Sequence, residues 1–321
     1  MATTEQTRVR DVLAISDLSH TELQELLHMA RRMKARPADW THALVGETVV
    51  CFFQKPSTRT RVSLHAAIAR LGAAPLLIRP DELQLGRGEP ISDTARVLSG
   101  YACAIAARVF SQQTIEEMAA NSAVPVINAL SDLHHPCQAL ADLMTVEETF
   151  GSLTGLRLAY VGEGNNVAHS LMEAGALLGM EIVVASPDGL GPDPEVTAAA
   201  AETAAANGGS VSIVSHPLSA ATNASVIYTD VWVSMGDEDE AARHREMLIP
   251  YRVNAELMAA AAPHAVFMHC LPAHRGEEVT AEVIDGPRSV VWQQAANRQP
   301  TEQALIYSLV TGDWLGDRRN R

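Results

Sequence analysis

The sequence predicts an α/β protein made of two doubly wound domains, each a parallel sheet with helices on both faces. The chain has 321 residues, which at roughly 150 residues per domain suggests two domains. Strand-like apolar runs alternate with helix-like runs along the chain, as parallel sheets require. This alternation stops at a short stretch with two glycines, 151–155, and then begins again. The domain boundary is therefore predicted near residue 150.

In the first half, apolar runs predict strands, and the longer segments between them predict helices. The predicted strands are 48–53, 74–78, 104–109 and 124–128, and the predicted helices are 58–71, 91–101, 113–120 and 137–149. We expect residues 1–150 to form the first domain.

The second half repeats this pattern. The predicted strands are 156–161, 182–185, 211–214, 226–229, 266–269 and 290–292, and the predicted helices are 167–178, 193–207 and a final helix over 302–314. We expect residues 151–301 to form the second domain.

Composition narrows the classes of function. Hydrophobic residues make up 47% and charged residues 19%, which indicates a folded protein. A net charge of -14 argues against binding to nucleic acid or to an anionic membrane. The chain has no 18-residue apolar run, and residues 1–11 lack the apolar core of a secretory signal. Cys51, Cys103, Cys137 and Cys270 form no CxxC pair, which predicts reduced thiols in a cytoplasmic protein.

Polar clusters follow the predicted strands, at the carboxyl ends where open parallel sheets bind ligands. After the first strand comes Lys55-Pro56-Ser57-Thr58-Arg59-Thr60-Arg61. Ser57 suits the N-cap of a helix whose first amides would face an anion. The hydroxyl and guanidinium groups suit phosphate, with Arg59 at the ligand and Arg61 in an internal ion pair. An ordinary capped helix with solvated arginines explains this segment equally well.

A second cluster suits activation of a carbonyl group. Arg108 lies at the end of the third predicted strand, although such an arginine can also be exposed by accident. Pro136 suits the first position of a helix and places His135 at its cap, and Gln138 can face the same side. These groups could polarise a carbonyl without attacking it. Cys137 as a nucleophile is less favoured, because no adjacent base is evident.

The second half carries groups that suit an amino acid. Val161-Gly162-Glu163-Gly164-Asn165-Asn166 joins a strand to a helix, but Val167 replaces the third glycine of a dinucleotide-binding fingerprint. This disfavours a Rossmann dehydrogenase, and the two amides can instead hold a carboxylate. Asp230 offers an acceptor to an ammonium group, and Ser234-Met235-Gly236 offers amides to a carboxylate. With Asn166 these fit an amino-acid head group, although an Asx-type turn is the simpler reading.

A last polar segment, His269-Cys270-Leu271-Pro272-Ala273-His274, follows another predicted strand. Beside Asp230, the Cys270 thiol could exchange a proton with a bound amine. A zinc site made of the cysteine and the two histidines is disfavoured, because zinc sites use closer partners, so we expect no metal. Arg298, after the last predicted strand, adds a cation to the anion site.

These segments resemble the four signatures of the ornithine carbamoyltransferases. The matching segments are Ser57-Thr58-Arg59-Thr60-Arg61, His135-Pro136-Cys137-Gln138, Asp230 with Ser234-Met235-Gly236, and His269-Cys270-Leu271-Pro272. The resemblance runs nearly end to end. The Ser-Met-Gly and His-Cys-Leu-Pro segments distinguish this group from the aspartate carbamoyltransferases.

The resemblance implies transfer of the carbamoyl group of carbamoyl phosphate to the side-chain amine of ornithine, with neither a metal nor an organic cofactor. It implies a homotrimer with shared sites and a cis peptide bond between Leu271 and Pro272. It also implies a C-terminal helix, within 302–321, that returns to a carbamoyl-phosphate-binding first domain, and an ornithine-binding second domain.

The resemblance also implies a role for each site residue. Phosphate would be held by Ser57, Thr58, Arg59 and Thr60; the carbamoyl group by Arg108, His135, Gln138, Arg298 and the backbone at Cys270 and Leu271; and the amino acid by Asn166, Asp230, Ser234 and Met235. Gln84 would reach the site of a neighbouring subunit. The residues expected to be catalytic are Arg108, His135, Gln138, Asp230 and Cys270.

Two positions depart from the family pattern. Gln54 stands where a glutamate is usual, and Leu64-His65 stand where Phe-Glu is frequent. Two acids that could balance Arg59 and Arg61 are thus missing, which leaves room for a paralogue acting on a shorter diamino acid or on putrescine. Putrescine is less favoured, because the Ser-Met-Gly segment suits an amino-acid head group. A non-catalytic carbamoyl-phosphate-binding relative is disfavoured, because every chemistry-bearing position is present.

Overall fold

The computed structural model of the chain describes residues 10–79, 88–232 and 241–316. Unit 1 comprises Met1–Cys137 and Gln299–Arg321, and unit 2 comprises Gln138–Arg298. Within the described ranges, no helix has both the length and the apolar composition needed to cross a membrane.

Unit 1 is built on a parallel sheet. Its elements in chain order are α1 (His20–Ala35), β1 (Thr48–Phe53), α2 (Thr58–Arg70), β2 (Ala74–Ile78), α3 (Ile91–Ser99), β3 (Ala104–Arg108), α4 (Gln112–Asn121) and β4 (Val126–Leu130). Within the described part of the chain, four strands pair in the order β2-β1-β3-β4. The chain moves from β1 to β2 in one direction and from β3 to β4 in the other. The topological switch point, where such sheets bind ligands, therefore lies between β1 and β3.

Unit 2 repeats the plan with a wider sheet. Its elements in chain order are α5 (Pro136–Phe150), β5 (Arg157–Val161), α6 (Asn166–Leu177), β6 (Glu181–Ala185), α7 (Pro194–Ala206), β7 (Ser210–Val214), α8 (Pro217–Ala221), β8 (Val226–Thr229), α9 (Ala241–Leu248), α10 (Ala255–Ala260), β9 (Val266–His269) and α11 (Ala281–Ile284). The described strands pair in parallel in the order β7-β6-β5-β8-β9. The switch point of this sheet lies between β5 and β8.

The last helix, α12 (Val291–Thr311), completes the core of unit 1 with its C-terminal half. The Tyr307 ring meets the Trp40 ring edge-on, with centroids 5.2 Å apart. Ser308 donates a hydrogen bond to the Met29 sulfur at 3.7 Å. The prediction that a C-terminal helix returns to the first domain is confirmed.

The start of α12 differs from the prediction. The predicted strand over 290–292 is wrong, because α12 begins at Val291, and the predicted final helix therefore begins too late. Pro300 lies inside α12, whereas a proline ordinarily ends a helix. A three-residue apolar run is also too short to separate strand from helix. Arg298 consequently lies on a helix and does not follow a strand.

Candidate active site

The segment after β1 forms the capped helix start that its sequence predicts. Ser57 is the N-cap of α2, and its Oγ accepts a hydrogen bond from the Thr60 amide at 3.2 Å. Thr58, Arg59 and Thr60 make up the first turn of α2. Amides at the start of a helix carry partial positive charge and point outwards, so this turn can hold a phosphate group.

A cavity of about 550 Å³ opens beside this turn. Ser57 and Thr58 line it together with three cations, Lys55, Arg61 and Arg79. Arg61 is exposed on α2, and no ion pair to it exists among the described residues, so its predicted internal ion pair is not found. The cavity is cationic, which suits a ligand that carries negative charge.

Gln54 joins the ends of two neighbouring strands. Its amide N–H donates to the Arg108 carbonyl oxygen at 2.8 Å, and its Oε1 accepts from the Phe110 amide at 3.0 Å. A carboxylate could accept the second bond equally well. Gln54 therefore keeps the acceptor that a glutamate would supply and omits its charge. His65, the other departure, is exposed on α2.

Arg108 and His135 lie at the same edge of the unit 1 sheet. Arg108 ends β3, opposite Phe53 of β1 in the register, and is 6% exposed. His135 immediately precedes α5 and is 5% exposed. The carboxyl ends of parallel strands meet at one edge of a sheet. Both side chains therefore lie at the edge of the sheet where the first turn of α2 begins.

Cys137, weighed above as a nucleophile, is fully buried. Its thiol donates to the Asn128 carbonyl oxygen at 3.5 Å. A buried thiol that points at backbone is not placed to attack a substrate.

Gln138 and Arg298, predicted separately, are paired in unit 2. Arg298 Nη1 donates to Gln138 Oε1 at 2.8 Å, and both side chains are buried. Gln138 Nε2 donates to Asp142 Oδ1 at 2.8 Å. Burial raises the pKa of Asp142 to about 7. Asp142 is absent from the predicted residues, although a side chain one helical turn after Gln138 is a natural neighbour.

Asp230 and Cys270 follow the adjacent strands β8 and β9 and are in contact. The Cys270 thiol donates to Asp230 Oδ1 at 2.8 Å, and the Val231 amide donates to the same oxygen at 2.8 Å. Asn165 Nδ2 donates to Asp230 Oδ2 at 2.9 Å. These bonds fix the orientation of a carboxylate that is 8% exposed.

Asn165 is the asparagine that holds Asp230, whereas the predicted ligand was its neighbour Asn166. Asn165 is the N-cap of α6, and its Oδ1 accepts from the Val167 amide at 3.0 Å and from the Tyr160 hydroxyl at 3.1 Å. Asn166 is the first residue of that helix. The cap preference of asparagine is the sequence signal for Asn165.

The backbone after Cys270 turns sharply. Leu271 has a φ of 60°, and the predicted cis bond between Leu271 and Pro272 is confirmed. The Leu271 amide donates to His269 Nδ1 at 2.8 Å, and His269 Nε2 bonds to Glu278 Oε1 at 3.2 Å. Since Nδ1 accepts a hydrogen bond, the neutral ring carries its proton on Nε2.

The donor atoms of Asp230, His269 and Cys270 lie within 4.8 Å of one another, a spacing that a metal ion could use. Both ring nitrogens of His269 are engaged within the protein. A metal at this point would have to displace one of those bonds, so the arrangement fits a hydrogen-bonded turn better than a zinc site.

Three residues predicted for the site, Gln84, Ser234 and Met235, lie outside the described ranges. Their predicted roles stay predictions.

Comparison with known proteins supports one family over both halves of the chain. Residues 10–148 match the profile described as aspartate/ornithine carbamoyltransferase, carbamoyl-P binding domain, and residues 154–309 match the Asp/Orn binding domain of the same family. The ornithine carbamoyltransferase of Symbiobacterium thermophilum is 52% identical over 299 residues, 92% of this chain and 96% of that protein. The anabolic ornithine carbamoyltransferase of Pyrococcus furiosus is 50% identical over 305 residues, 94% of this chain and 96% of that protein.

A solved structure gives the same result. The ornithine carbamoyltransferase from Pyrococcus furiosus has a TM-score of 0.90 at 50% identity, and the match covers 94% of this chain and 97% of that chain. Sequence profiles, relatives and fold agree over nearly the whole length. The chain therefore belongs to the aspartate/ornithine carbamoyltransferase family.

Proposed function

We propose that the chain is an ornithine carbamoyltransferase, which converts carbamoyl phosphate and L-ornithine into L-citrulline and phosphate. The observation that carries this proposal is the contact between Cys270 Sγ and Asp230 Oδ1, 2.8 Å long. A carboxylate beside a thiol suits a ligand that arrives as a cation and must react as an amine. The 50–52% identity to ornithine carbamoyltransferases supports the same substrate.

In the reaction, the side-chain amine of ornithine attacks the carbonyl carbon of carbamoyl phosphate. A new N–C bond forms and the C–O bond to phosphate breaks. The departing phosphate takes up the charge equivalent of the one proton that the amine loses. Ser57, Thr58, Arg59 and Thr60 bind the phosphate at the N-terminus of α2, where helix amides favour negative charge.

Arg59, Arg108 and His135 supply the positive charge and hydrogen-bond donors that activate the carbonyl. Charge develops on the carbonyl oxygen as the amine attacks, and fixed donors in a water-poor site stabilise it strongly. The burial of Arg108 and His135 supports this role. Gln138 and Arg298 address the amino side of the carbamoyl group, together with the backbone at Cys270 and Leu271.

Asp230 and Cys270 act on the amine of ornithine. Such an amine has a solution pKa of about 10.4, so only about one molecule in 2,500 is free amine at about pH 7, a cost of roughly 4.6 kcal/mol. A nearby carboxylate and thiol can accept or relay the proton that must leave. Asn166, Ser234 and Met235 bind the amino-acid head group in this proposal.

We assign carbamoyl phosphate to residues 1–150 with 302–321, and ornithine to residues 151–301. The two family profiles, which match residues 10–148 and 154–309, support a boundary near residue 150. The grouping of Gln299–Arg321 with unit 1 supports the assignment of the C-terminal segment. We place the reaction in arginine biosynthesis, which the anabolic designation of the Pyrococcus furiosus relative supports. The four free cysteines support a cytoplasmic location, because reduced thiols are the rule there.

We also propose a homotrimer in which Gln84 reaches the site of a neighbouring subunit. Exposed apolar side chains at the edge of unit 1, including Val62 and Leu76, suit a subunit interface. Mixing an inactive Gln84→Ala variant with an inactive Arg108→Ala variant should restore part of the activity through hybrid sites. A mixture that stays inactive after demonstrated subunit exchange, or a monomer in light scattering, contradicts this assembly.

The test of the function is a citrulline assay with a panel of amines. Ornithine should react far faster than 2,4-diaminobutyrate, lysine or putrescine. A preference for a shorter diamino acid or for putrescine identifies a paralogue of different specificity. Binding of carbamoyl phosphate without turnover of any amine identifies a non-catalytic relative.

A further inference from the structure

We propose that Asp142 is a positioning residue for carbamoyl transfer, whose carboxylate fixes the orientation of the Gln138 side-chain amide. The inference rests on the proposed function, because it takes the carbamoyl group as the ligand of Gln138. Both residues lie on α5 one helical turn apart, so their side chains share a face. Gln138 is 2% exposed and Asp142 is 1% exposed.

The amide of Gln138 is held at both ends. Its Nε2 donates to Asp142 Oδ1, and its Oε1 accepts from Arg298 Nη1, both at 2.8 Å. An amide turned by 180° would set its oxygen against the ionised carboxylate and its NH₂ group against a guanidinium, and neither pair can form a hydrogen bond. Asp142 and Arg298 therefore select one of two nearly isosteric orientations.

This orientation leaves Gln138 one amide hydrogen and one lone pair of its oxygen. A side-chain amide has two donor hydrogens and two acceptor lone pairs, and the bonds to Asp142 and Arg298 use one of each. The carbamoyl group offers an amino group and a carbonyl oxygen. Its polar pattern can thus be matched only while the amide of Gln138 keeps its orientation.

Asp142 is itself held by two further donors from distant parts of unit 2. Gln294 Nε2 donates to Asp142 Oδ1 at 2.7 Å, and the Tyr228 hydroxyl donates to Asp142 Oδ2 at 3.1 Å. Gln294 Oε1 accepts from the amide of His269 at 3.0 Å. The network therefore links Gln138 to the end of β9, directly before the backbone of Cys270 and Leu271 that is proposed to bind the same group.

The test compares two ligands that differ in the carbamoyl-like group. Phosphonoacetamide carries an amide beside its phosphonate, whereas inorganic phosphate carries none. Asp142→Leu in the full chain removes the acceptor of Gln138 Nε2 and should weaken binding of phosphonoacetamide about tenfold, the loss expected for a misoriented hydrogen-bonding group. Its affinity for inorganic phosphate should change less than about twofold. Isothermal titration calorimetry measures both affinities.

A double-mutant cycle separates positioning from general structural support. If Asp142 acts through Gln138, Asp142→Leu combined with Gln138→Ala binds phosphonoacetamide no more weakly than Gln138→Ala alone. Additive losses in the double variant, or equal weakening of both ligands by Asp142→Leu, would overturn the proposal.

Thr145→Val is the matched control. Thr145 lies farther along α5 and accepts a buried hydrogen bond from Asn297 at 2.9 Å, so its loss disturbs the same helix without touching Gln138. The ratio of the two affinities should stay at the wild-type value. Should Asp142→Leu fail to fold, Tyr228→Phe removes one donor to Asp142, and its ratio should shift in the same direction by a smaller factor. An unchanged ratio there overturns the proposal.

Different results would contradict the role of Asp142 and the proposed function. A wild-type protein that does not bind phosphonoacetamide overturns the role of Asp142. A wild-type protein that binds it but makes no citrulline contradicts the proposed function, and the affinity ratios still decide whether Asp142 orients Gln138.

Discussion

The two sheets share a topology and differ in the charge at their switch points. In unit 1, the strands beside the switch point lead to Ser57, Arg59 and Arg108. In unit 2, they lead to Asn165 and Asp230. The backbone plan thus determines where a ligand can bind, because helix starts and strand ends gather at the switch point. The side chains at each switch point determine the charge of the ligand that we propose there, which is anionic for unit 1 and cationic for unit 2.

The largest effect should come from the cationic edge of unit 1. Arg108→Ala or His135→Ala should lower turnover about a hundredfold or more, as expected for loss of a transition-state donor. Arg108→Lys keeps the charge but loses the planar fork, and its turnover should be intermediate. Steady-state citrulline formation measures the effect. A folded alanine variant with near-normal turnover would contradict the distinct role of the cationic sheet edge of unit 1.

Removing the negative charge of Asp230 in unit 2 should affect only the reaction of the amine substrate. Asp230→Asn should lower kcat/KM for ornithine by about 10- to 100-fold, the range for a hydrogen bond to a charged group. Inhibition by inorganic phosphate should not change. Cys270→Ser keeps a donor to Asp230 and should lose less. A parallel loss of phosphate inhibition in Asp230→Asn would contradict the separation of the two charges.

The pH dependence of the free energy of unfolding tests whether ionisation of the buried Asp142 carboxyl destabilises the folded state. Burial raises the pKa of Asp142 to about 7, and Tyr228 from β8 and Arg298 from α12 face it. A carboxyl group whose pKa is higher in the folded state makes its full contribution to the free energy of unfolding at pH values below its unfolded pKa, about 3.9. That contribution is lost as the pH rises through the folded pKa, about 7.

The free energy of unfolding of the wild type, relative to Asp142→Asn, should therefore fall by about 1.4 kcal/mol between pH 5 and pH 6. It should become flat above about pH 8. Urea denaturation across this range measures the difference, and every other titrating group cancels in the comparison. A difference that rises with pH would show that the pKa of Asp142 is lowered in the folded state.

The smallest effect should come from the departures from the family pattern. Gln54→Glu keeps the acceptor for the Phe110 amide and adds a negative charge at the cationic edge. We expect weaker inhibition by phosphate and faster turnover, with an effect below about 1 kcal/mol and an unchanged preference among amines. His65→Glu should change less, because solvent and salt screen an exposed side chain. An altered amine preference in either variant would contradict this assignment.

The sequence predicts the plan of both sheets well, because buried parallel strands are short apolar runs and the polar clusters directly follow them. It also predicts the helix cap at Ser57 and the helix start at Pro136, which depend on neighbouring residues alone. It fails where local signals conflict, as at Pro300 inside α12. Local preference could not show that packing carries the helix through that proline.

The pairing of side chains far apart in the sequence is the other part that escapes prediction. Asp142 accepts hydrogen bonds from Tyr228 and Gln294, and no local sequence pattern predicts a contact between residues so far apart in the chain. Asn165 is different, because its cap position follows from local preference, whereas its contact with Asp230 depends on the fold.

The return of α12 to unit 1 has a consequence for how the protein is synthesised. Ala304, Leu305, Ile306 and Tyr307 are buried, and they belong to unit 1 although they are translated after all of unit 2. At about 5–20 residues per second, a ribosome needs roughly 8–32 seconds to add Gln138–Arg298 before it begins the segment from Gln299 onwards. Every residue of unit 2 has been joined to the chain before that segment is begun. The N-terminal unit is thus the last to receive its full core, which reverses the usual order of vectorial folding.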